Sequence, residues 1–319
     1  MSHAEQEFAN ARIGETPRIA LIIPTHNASR HWENLCSGIR MQSVSPHQII
    51  IIDSSSKDGT VDLARNAGFT VVEIDSKEFD HGGTRQLAAE HAPNADILIY
   101  LTQDAVPSDK ETFKHLVAAF KDPTIGAVYG RQLPRSGAKS IEKHARSFNY
   151  PAVSSVRSWE SRHLLGFKSI FFSNSFGAYS REALMGVGGF SSGVIFGEDT
   201  LAVARLHQCG WRTAYVADAC VQHSHAHSIT EEFRRYFDIG VLHSREHWLV
   251  EQFGEASGEG RRFVLSEFKY LLKNDPLSIP SALIRTLTKY IGYRVGRHES
   301  RFTPRLKYHL GLNKQFWSR

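Results

Sequence analysis

The stretch Ile49-Ile-Ile-Ile-Asp-Ser-Ser-Ser-Lys-Asp-Gly-Thr60 decides the fold. Four β-branched residues in a row read as a strand buried on both faces, and the strand ends on an acid, Asp53. A Ser/Gly turn follows. The next segment, VDLARNAG from Val61 to Gly68, reads as an amphipathic helix with Thr60 as N-cap and Gly68 as its stop. A strand-to-helix turn at the carboxyl end of a parallel strand is where open α/β sheets bind ligands. Its small residues let backbone approach a ligand, and Asp53 can accept hydrogen bonds from a base or a ribose. A P-loop is the rival use of such a turn, but GxxxxGK[ST] is absent from the sequence.

Upstream, RIALIIPTHN (Arg18 to Asn27) reads as a first buried strand ending in a polar loop. Downstream, Thr70 to Ile74 is a third strand, and Ile97 to Leu101 is a fourth that ends in TQDA. A short helix is expected from Thr84 to Ala92, and the capping-box pattern Ser108-Asp-Lys-Glu111 predicts another to about Lys121. This alternation with short connections predicts an α/β fold with a mostly parallel, doubly wound sheet. From Pro134 to Lys168 the pattern is irregular. Phe171 to Tyr179 then reads as a strand, Glu198 to Cys209 as a helix, and the chain from Thr230 onward as helices.

The 319 residues, 41% apolar and 22% charged, suffice for one large α/β domain and an appendage. We divide them into a flexible tail (1–17), a catalytic domain (18–228) and a helical basic region (229–319). Residues 269–319 carry eleven Lys/Arg against two Asp/Glu, while the remainder has a net charge of −4. Such a region suits an anionic membrane surface or a polyanionic partner; a solvated helical face is the plain alternative. We take the membrane, not nucleic acid, as the expected partner, with Tyr308, Phe316 and Trp317 as interfacial anchors. The sequence shows no apolar leader and no run long enough to span a bilayer, and Cys36, Cys209 and Cys220 are scattered. The expected location is cytoplasmic, peripheral at the inner membrane face.

Four acid-bearing loops occur in order: Asp53, Asp80-His81, Asp104 and Glu198-Asp199. Asp104 follows a buried strand, where a lone carboxylate can hold Mg²⁺ or Mn²⁺ while phosphates and waters fill other positions. A helix cap is the alternative, but Pro107 and the pattern at Ser108 lie further on. Glu198 and Asp199 follow the Gly-rich loop GGFSSGVIFG and open a helix, where acids are favoured by the helix dipole; they can equally supply a general base and an orienting partner. His223, His225 and His227 alternate and would share one side of an extended segment; one imidazole completing the site of Asp104 is our preferred reading, surface histidines the alternative. HGGTR, His81 to Arg85, pairs glycines with a helix N-terminus and a guanidinium, which suits a phosphate or base edge or merely a tight turn.

In this order the pieces resemble inverting glycosyltransferase family 2, with its GT-A fold. IPTHN resembles that family's opening strand and loop. IIDSSSKDGT is similar to its nucleotide-binding strand, usually written with two acids, of which Asp53 alone carries over. TQDA stands where the family has its DxD metal motif, with Thr102 at the usual first acid, so Asp104 is the implied ligand beside Gln103. Gly197-Glu-Asp199 resembles the catalytic acid pair, and VQHSH the late histidine that reaches the metal, with His223 aligning best. More narrowly, FDHGGTR, TQDA and YGRQLP resemble bacterial rhamnosyltransferases of surface-polysaccharide assembly that use dTDP-L-rhamnose.

The resemblance implies an in-line displacement in which Asp199 is the base and Glu198 orients the acceptor or the base. Thr25, Asn27, Asp53, Arg85, Gln103 and Asp104 would bind the nucleotide-sugar, and Asp104 with His223 the divalent ion. His81, Arg131 and His225 are further candidates. The donor would be a dTDP-sugar and the acceptor a lipid-linked or polysaccharide glycan. Transfer of another sugar (galactofuranosyl or hexosyl), a nucleotidyltransferase, or a non-catalytic binding subunit are the alternatives. The absence of glycine from IPTHNASR argues against a nucleotidyltransferase, and the retained acids argue against a decayed site.

Overall fold

A computed structural model describes residues 17–254 and 257–318. The expected tail lies, apart from Pro17, outside these residues. The strands are β1 (Ile19–Thr25), β2 (Gln48–Ser54), β3 (Thr70–Ile74), β4 (Ile97–Leu101), β5 (Val106–Pro107), β6 (Ile125–Leu133), β7 (Ser155–Arg157), β8 (Phe176–Ser180) and β9 (Arg212–Gln222). They form one sheet in the order β3-β2-β1-β4-β8-β6-β9-β5, with β7 also on β9. The four strands from β3 to β4 are parallel; β8 runs antiparallel between β4 and β6, and β6 and β9 are again parallel.

The main helices are α1 (Ser29–Arg40), α2 (Thr60–Asn66), α3 (His81–Glu90), α4 (Thr112–Ala118), α5 (Ser140–Asn149), α6 (Arg181–Gly186), α7 (Glu198–Gln208), α8 (Ile229–Arg245), α9 (His247–Phe253), α10 (Ser257–Asn274), α11 (Ile279–Gly296) and α12 (Pro304–Leu310). They cover both sheet faces, because alternate residues of the isoleucine-rich strands enter two separate cores. Ile22, Ile50 and Ile52 face one, and Ile23, Ile51 and Ile99 the other. Phe237, Val241, Leu242, Leu249 and Phe253 of α8 and α9 join the first of these cores. The 229–319 region is therefore packed onto the sheet's own core at this point.

Several expectations shift. Helix α1 was not anticipated, although Trp32, Leu35, Cys36 and Ile39 bury one face at helical spacing. Helix α5 lies within the stretch read as irregular. Gly59, in the left-handed region at φ 83°, precedes α2, so Thr60 is its first residue instead of its N-cap. Helix α3 starts at His81 because Asp80 caps it, accepting from Gly83 N. The capping box at Ser108 does not form: the Ser108 N–H is drawn to Cys220 O by the β5–β9 pairing, and α4 begins only at Thr112. Residues 171–175 are loop, and the strand is confined to Phe176–Ser180. Phe316 and Trp317 pack against the core under Arg245, so they are not the outward anchors expected.

Candidate active site

Parallel pairing sets Thr25 and Asp53 side by side at the carboxyl ends of β1 and β2. Asp53 is fully buried; its Oδ2 accepts from Thr25 Oγ1 (2.8 Å) and Ser56 Oγ (2.6 Å), and its Oδ1 from Ser56 N (2.8 Å). It organises the loop that follows β2 more than it reaches outward. The reaching groups are on the next layer. Asn27 is exposed, and it and Ser55 adopt the left-handed backbone at φ 49° and 59°, conformations that ordinary residues hold only when neighbours impose them. The neighbours do so: Asn27 N donates to Ser56 Oγ (2.7 Å) and Asn27 Oδ1 accepts from Lys57 N (2.9 Å). Gln103 ties this loop to the end of β4, accepting from His26 N at 2.8 Å and donating to His26 O at 3.1 Å.

Beyond Gln103, Asp104 meets the histidines that follow β9. His223 Nε2 lies 3.5 Å from Asp104 Oδ1, His225 Nε2 lies 3.3 Å from Oδ2, and the two Nε2 atoms are 3.0 Å apart. His227 is not part of this group; its ring lies 5.7 Å from that of His225. Burial opposes ionisation of Asp104, but the hydrogen bond and charge of His223 and then the charge of His225 outweigh it and hold the carboxyl well below its usual range. Burial, and then the proximity of His223, push His225 down to about 4, which keeps its lone pair available. Behind His223, Nδ1 meets Gln132 Oε1 at 2.9 Å. One carboxylate and two imidazoles converging in this way fit a divalent ion, and the imidazoles suit Mn²⁺ better than Mg²⁺, which prefers an all-oxygen shell.

The acid pair opens α7. Glu198 is buried, 3.2 Å from Arg85 Nη1, and accepts from Asn174 Nδ2 at 3.0 Å. Burial disfavours its charge, yet Arg85 and then His81 and Asn174 outweigh that and keep it ionised. Asp199 is half-buried; Oδ2 accepts from Asn174 N (3.1 Å) and Oδ1 from Thr200 N (2.7 Å). Here burial, and then the adjacent charge of Glu198, push the carboxyl up to about 7. Two neighbouring carboxyls held apart in this way are suited to divided roles, one a fixed charge and the other a proton acceptor.

The loop before the pair is stapled. A Cβ on Gly82 would lie 1.8 Å from Ser191 O, so only glycine admits this approach of α3 to the loop. Asp80 Oδ2 accepts from Gly193 N at 3.0 Å, and Asn313 Nδ2 donates to Ile195 O at 2.6 Å. Asn313 in turn is held by Asp238 Oδ2, which accepts from the N–H groups of Leu312 and Asn313.

Of the candidates, the structure brings Thr25, Asn27, Asp53 and Gln103 into one loop layer, Asp104 with His223 and His225 into one cluster, and Glu198, Asp199, Arg85 and His81 into another. Arg85 was expected at the nucleotide; it is buried against Glu198 and the His81 carbonyl. Leaving Glu198 charged and unpartnered there would cost about 3–5 kcal/mol. Arg131 Nε donates to Tyr150 O, joining β6 to the end of α5. Asn174, Gln132 and Arg146 were missed; an asparagine interrupting the apolar run FFSNSF was the one visible signal.

A GT-A-type α/β scaffold with these three clusters at one end of its sheet is that of a nucleotide-sugar transferase. Residues 20–188 match the model of Glycosyl transferase family 2, and the chain belongs to that family. It is 45% identical over 302 residues to the O-antigen chain rhamnosyltransferase RfbN of Salmonella typhimurium, covering 94% of this chain and 96% of that one. It is 40% identical over 303 residues to the O-antigen chain rhamnosyltransferase WbaN of Salmonella anatum, covering 95% and 96%. Among solved structures, the mannosyltransferase PcManGT from Pyrobaculum calidifontis, in complex with GDP-Man and Mn²⁺, superposes with a TM-score of 0.57 at 18% identity, covering 95% of this chain and 85% of that one. S. aureus TarS 1-349 gives 0.51 at 14% identity, covering 94% and 88%. These likenesses establish the fold.

Proposed function

We propose that this glycosyltransferase moves L-rhamnose from dTDP-L-rhamnose to a hydroxyl of a growing surface glycan, with inversion at the anomeric carbon. The observation that carries the reading is the acid pair: a half-buried Asp199 raised towards neutrality beside a Glu198 held ionised by Arg85. The likeness to two O-antigen rhamnosyltransferases along nearly the whole chain supports the choice of sugar.

In this reading Asp199 takes the proton of the acceptor hydroxyl as it attacks the anomeric carbon, and the nucleoside diphosphate leaves from the opposite face. Glu198 fixes the charge that keeps Asp199 basic, and Asn174 orients both carboxyls. Asp104, His223 and His225 would hold Mn²⁺ or Mg²⁺, whose chemistry is to neutralise the charge on the departing diphosphate. Thr25, Asn27, Asp53 and Gln103 shape the nucleotide site. Residues 18–228 would form the catalytic domain and 229–319 a region that docks on the inner face of the cytoplasmic membrane, where a lipid-linked acceptor is presented. The basic balance of residues 269–319 supports that last step, and among the described residues no helix is long and apolar enough to cross a membrane.

The test is a calorimetric donor screen with Mn²⁺ and with Mg²⁺. Tight binding of dTDP-L-rhamnose over UDP-galactose and GDP-mannose is expected. Preference for either of the other donors would replace the sugar assignment while leaving the family untouched.

A further inference from the structure

Helix α11 is turned inside out. Pro280, Leu283, Ile284, Leu287, Tyr290 and Ile291 follow one another at helical spacing along its outer face, and Leu283, Ile284, Leu287, Tyr290 and Ile291 are 44–61% exposed. Two of its cations point inward: Arg285 and Lys289 lie 3.0 and 3.6 Å from Glu232 Oε1 of α8. Gly292 and Gly296 let the two helices close, a Cβ on Gly296 falling 2.0 Å from Phe237 O. A helix facing water would have the opposite arrangement. The preceding helix α10 adds Leu265, Phe268 and Leu272 at i, i+3 and i+7, all about half exposed, and the turn between the helices puts Leu277 outside at 93% exposure. Nine large apolar side chains exposed on two successive helices and the turn between them mark an interaction site.

We propose that this face inserts into the headgroup–acyl boundary of an anionic bilayer. The inference rests on the membrane-facing reading above and replaces its anchors. Charge complementarity selects lipid over a second copy of the chain. Exposed Arg261, Lys269 and Lys273 of α10 flank its leucines, and exposed Arg294, Arg301 and Arg305 continue from the end of α11. Apolar side chains bordered by cations define a helix pair lying in the membrane plane, with cations at headgroup depth and Leu277 as the protruding tip. A second copy would set these cations against each other.

The test compares wild type with the double variant Leu283→Ser/Leu287→Ser in co-sedimentation with vesicles of equimolar phosphatidylcholine and phosphatidylglycerol, and with phosphatidylcholine alone. Both leucines lie outside the core, so circular dichroism and calorimetric binding of dTDP-L-rhamnose should match wild type. Wild type should bind the anionic vesicles, and the variant at least about tenfold more weakly. Lys269→Glu/Lys273→Glu should weaken the same binding and reduce its salt dependence. Undiminished vesicle binding by the leucine variant would overturn the inference. So would a wild-type dimer in solution that the variant converts to monomer. Because donor binding is read on the same samples, failure of the sugar assignment shows separately.

Discussion

Gln132 Oε1 accepts the Nδ1–H of His223 at 2.9 Å, and this bond decides which nitrogen of the ring faces Asp104. The direction follows from Arg146, which can only donate and lies 2.6 Å from the same Oε1. The Gln132 amide nitrogen donates instead to Ser173 Oγ at 2.9 Å. His223 must therefore carry its proton on Nδ1, leaving the Nε2 lone pair for a cation. Gln132→Ala should weaken Mn²⁺ binding about 10–100-fold by calorimetry, with the fold intact. Unchanged affinity would remove Gln132 from the site.

Asn174 touches both acids at once, through its side chain to Glu198 and its backbone to Asp199. Tyr179 OH holds it from behind, donating to Asn174 Oδ1 at 2.9 Å. Asn174→Ala should lower kcat by on the order of 10²-fold while donor Kd barely moves, since the acids lose alignment but the nucleotide loops do not. A change confined to donor affinity would place Asn174 in the donor site instead.

The pH profile follows from the raised Asp199. A general base acts when ionised, so kcat/KM should climb with pH and level off above about 7. Burial raises the group first and the charge of Glu198 second. Glu198→Gln removes the second contribution, so the acid limb should shift to lower pH. A limb that does not shift would show that Glu198 does not tune the base.

The parts of this site that were legible from sequence are those where local pattern and chemistry coincide. Asp53 and Asp104 end runs of buried strand residues, and the isoleucines that enter both cores leave no other reading of β2. Asp199 follows glycines at a helix start. What escaped depends on distant chain segments. Arg85 looks like a phosphate ligand beside HGG, yet Glu198, far along the chain, claims it. Gln132 meets His223 only because β6 lies beside β9, and Arg146 reaches the same Gln132 oxygen from α5. Phe316 and Trp317 looked like anchors, but their partners Phe237 and Arg245 sit on α8.

Asp238 offers a test of stability. Burial raises its carboxyl to about 7, although the N–H groups of Asn313 and Leu312 pull the other way. The folded state therefore holds a proton that the unfolded chain releases near pH 4, and stability falls as pH rises from about 4 to about 7. Asp238→Asn lacks this loss. Its Tm should lie above that of wild type at pH 8, and the difference should shrink on acidification to pH 5. A variant less stable at pH 8 would show that the charge is used by the fold.

The most direct measurement is the anomeric configuration of the product formed from dTDP-β-L-rhamnose. Purified protein, Mn²⁺ and a glycan acceptor should give an α-L-rhamnoside by NMR, and Asp199→Asn should form the same product about 10²–10⁴-fold more slowly with donor Kd nearly unchanged. A β-L-rhamnoside, or full turnover by Asp199→Asn, would contradict single displacement with Asp199 as the base.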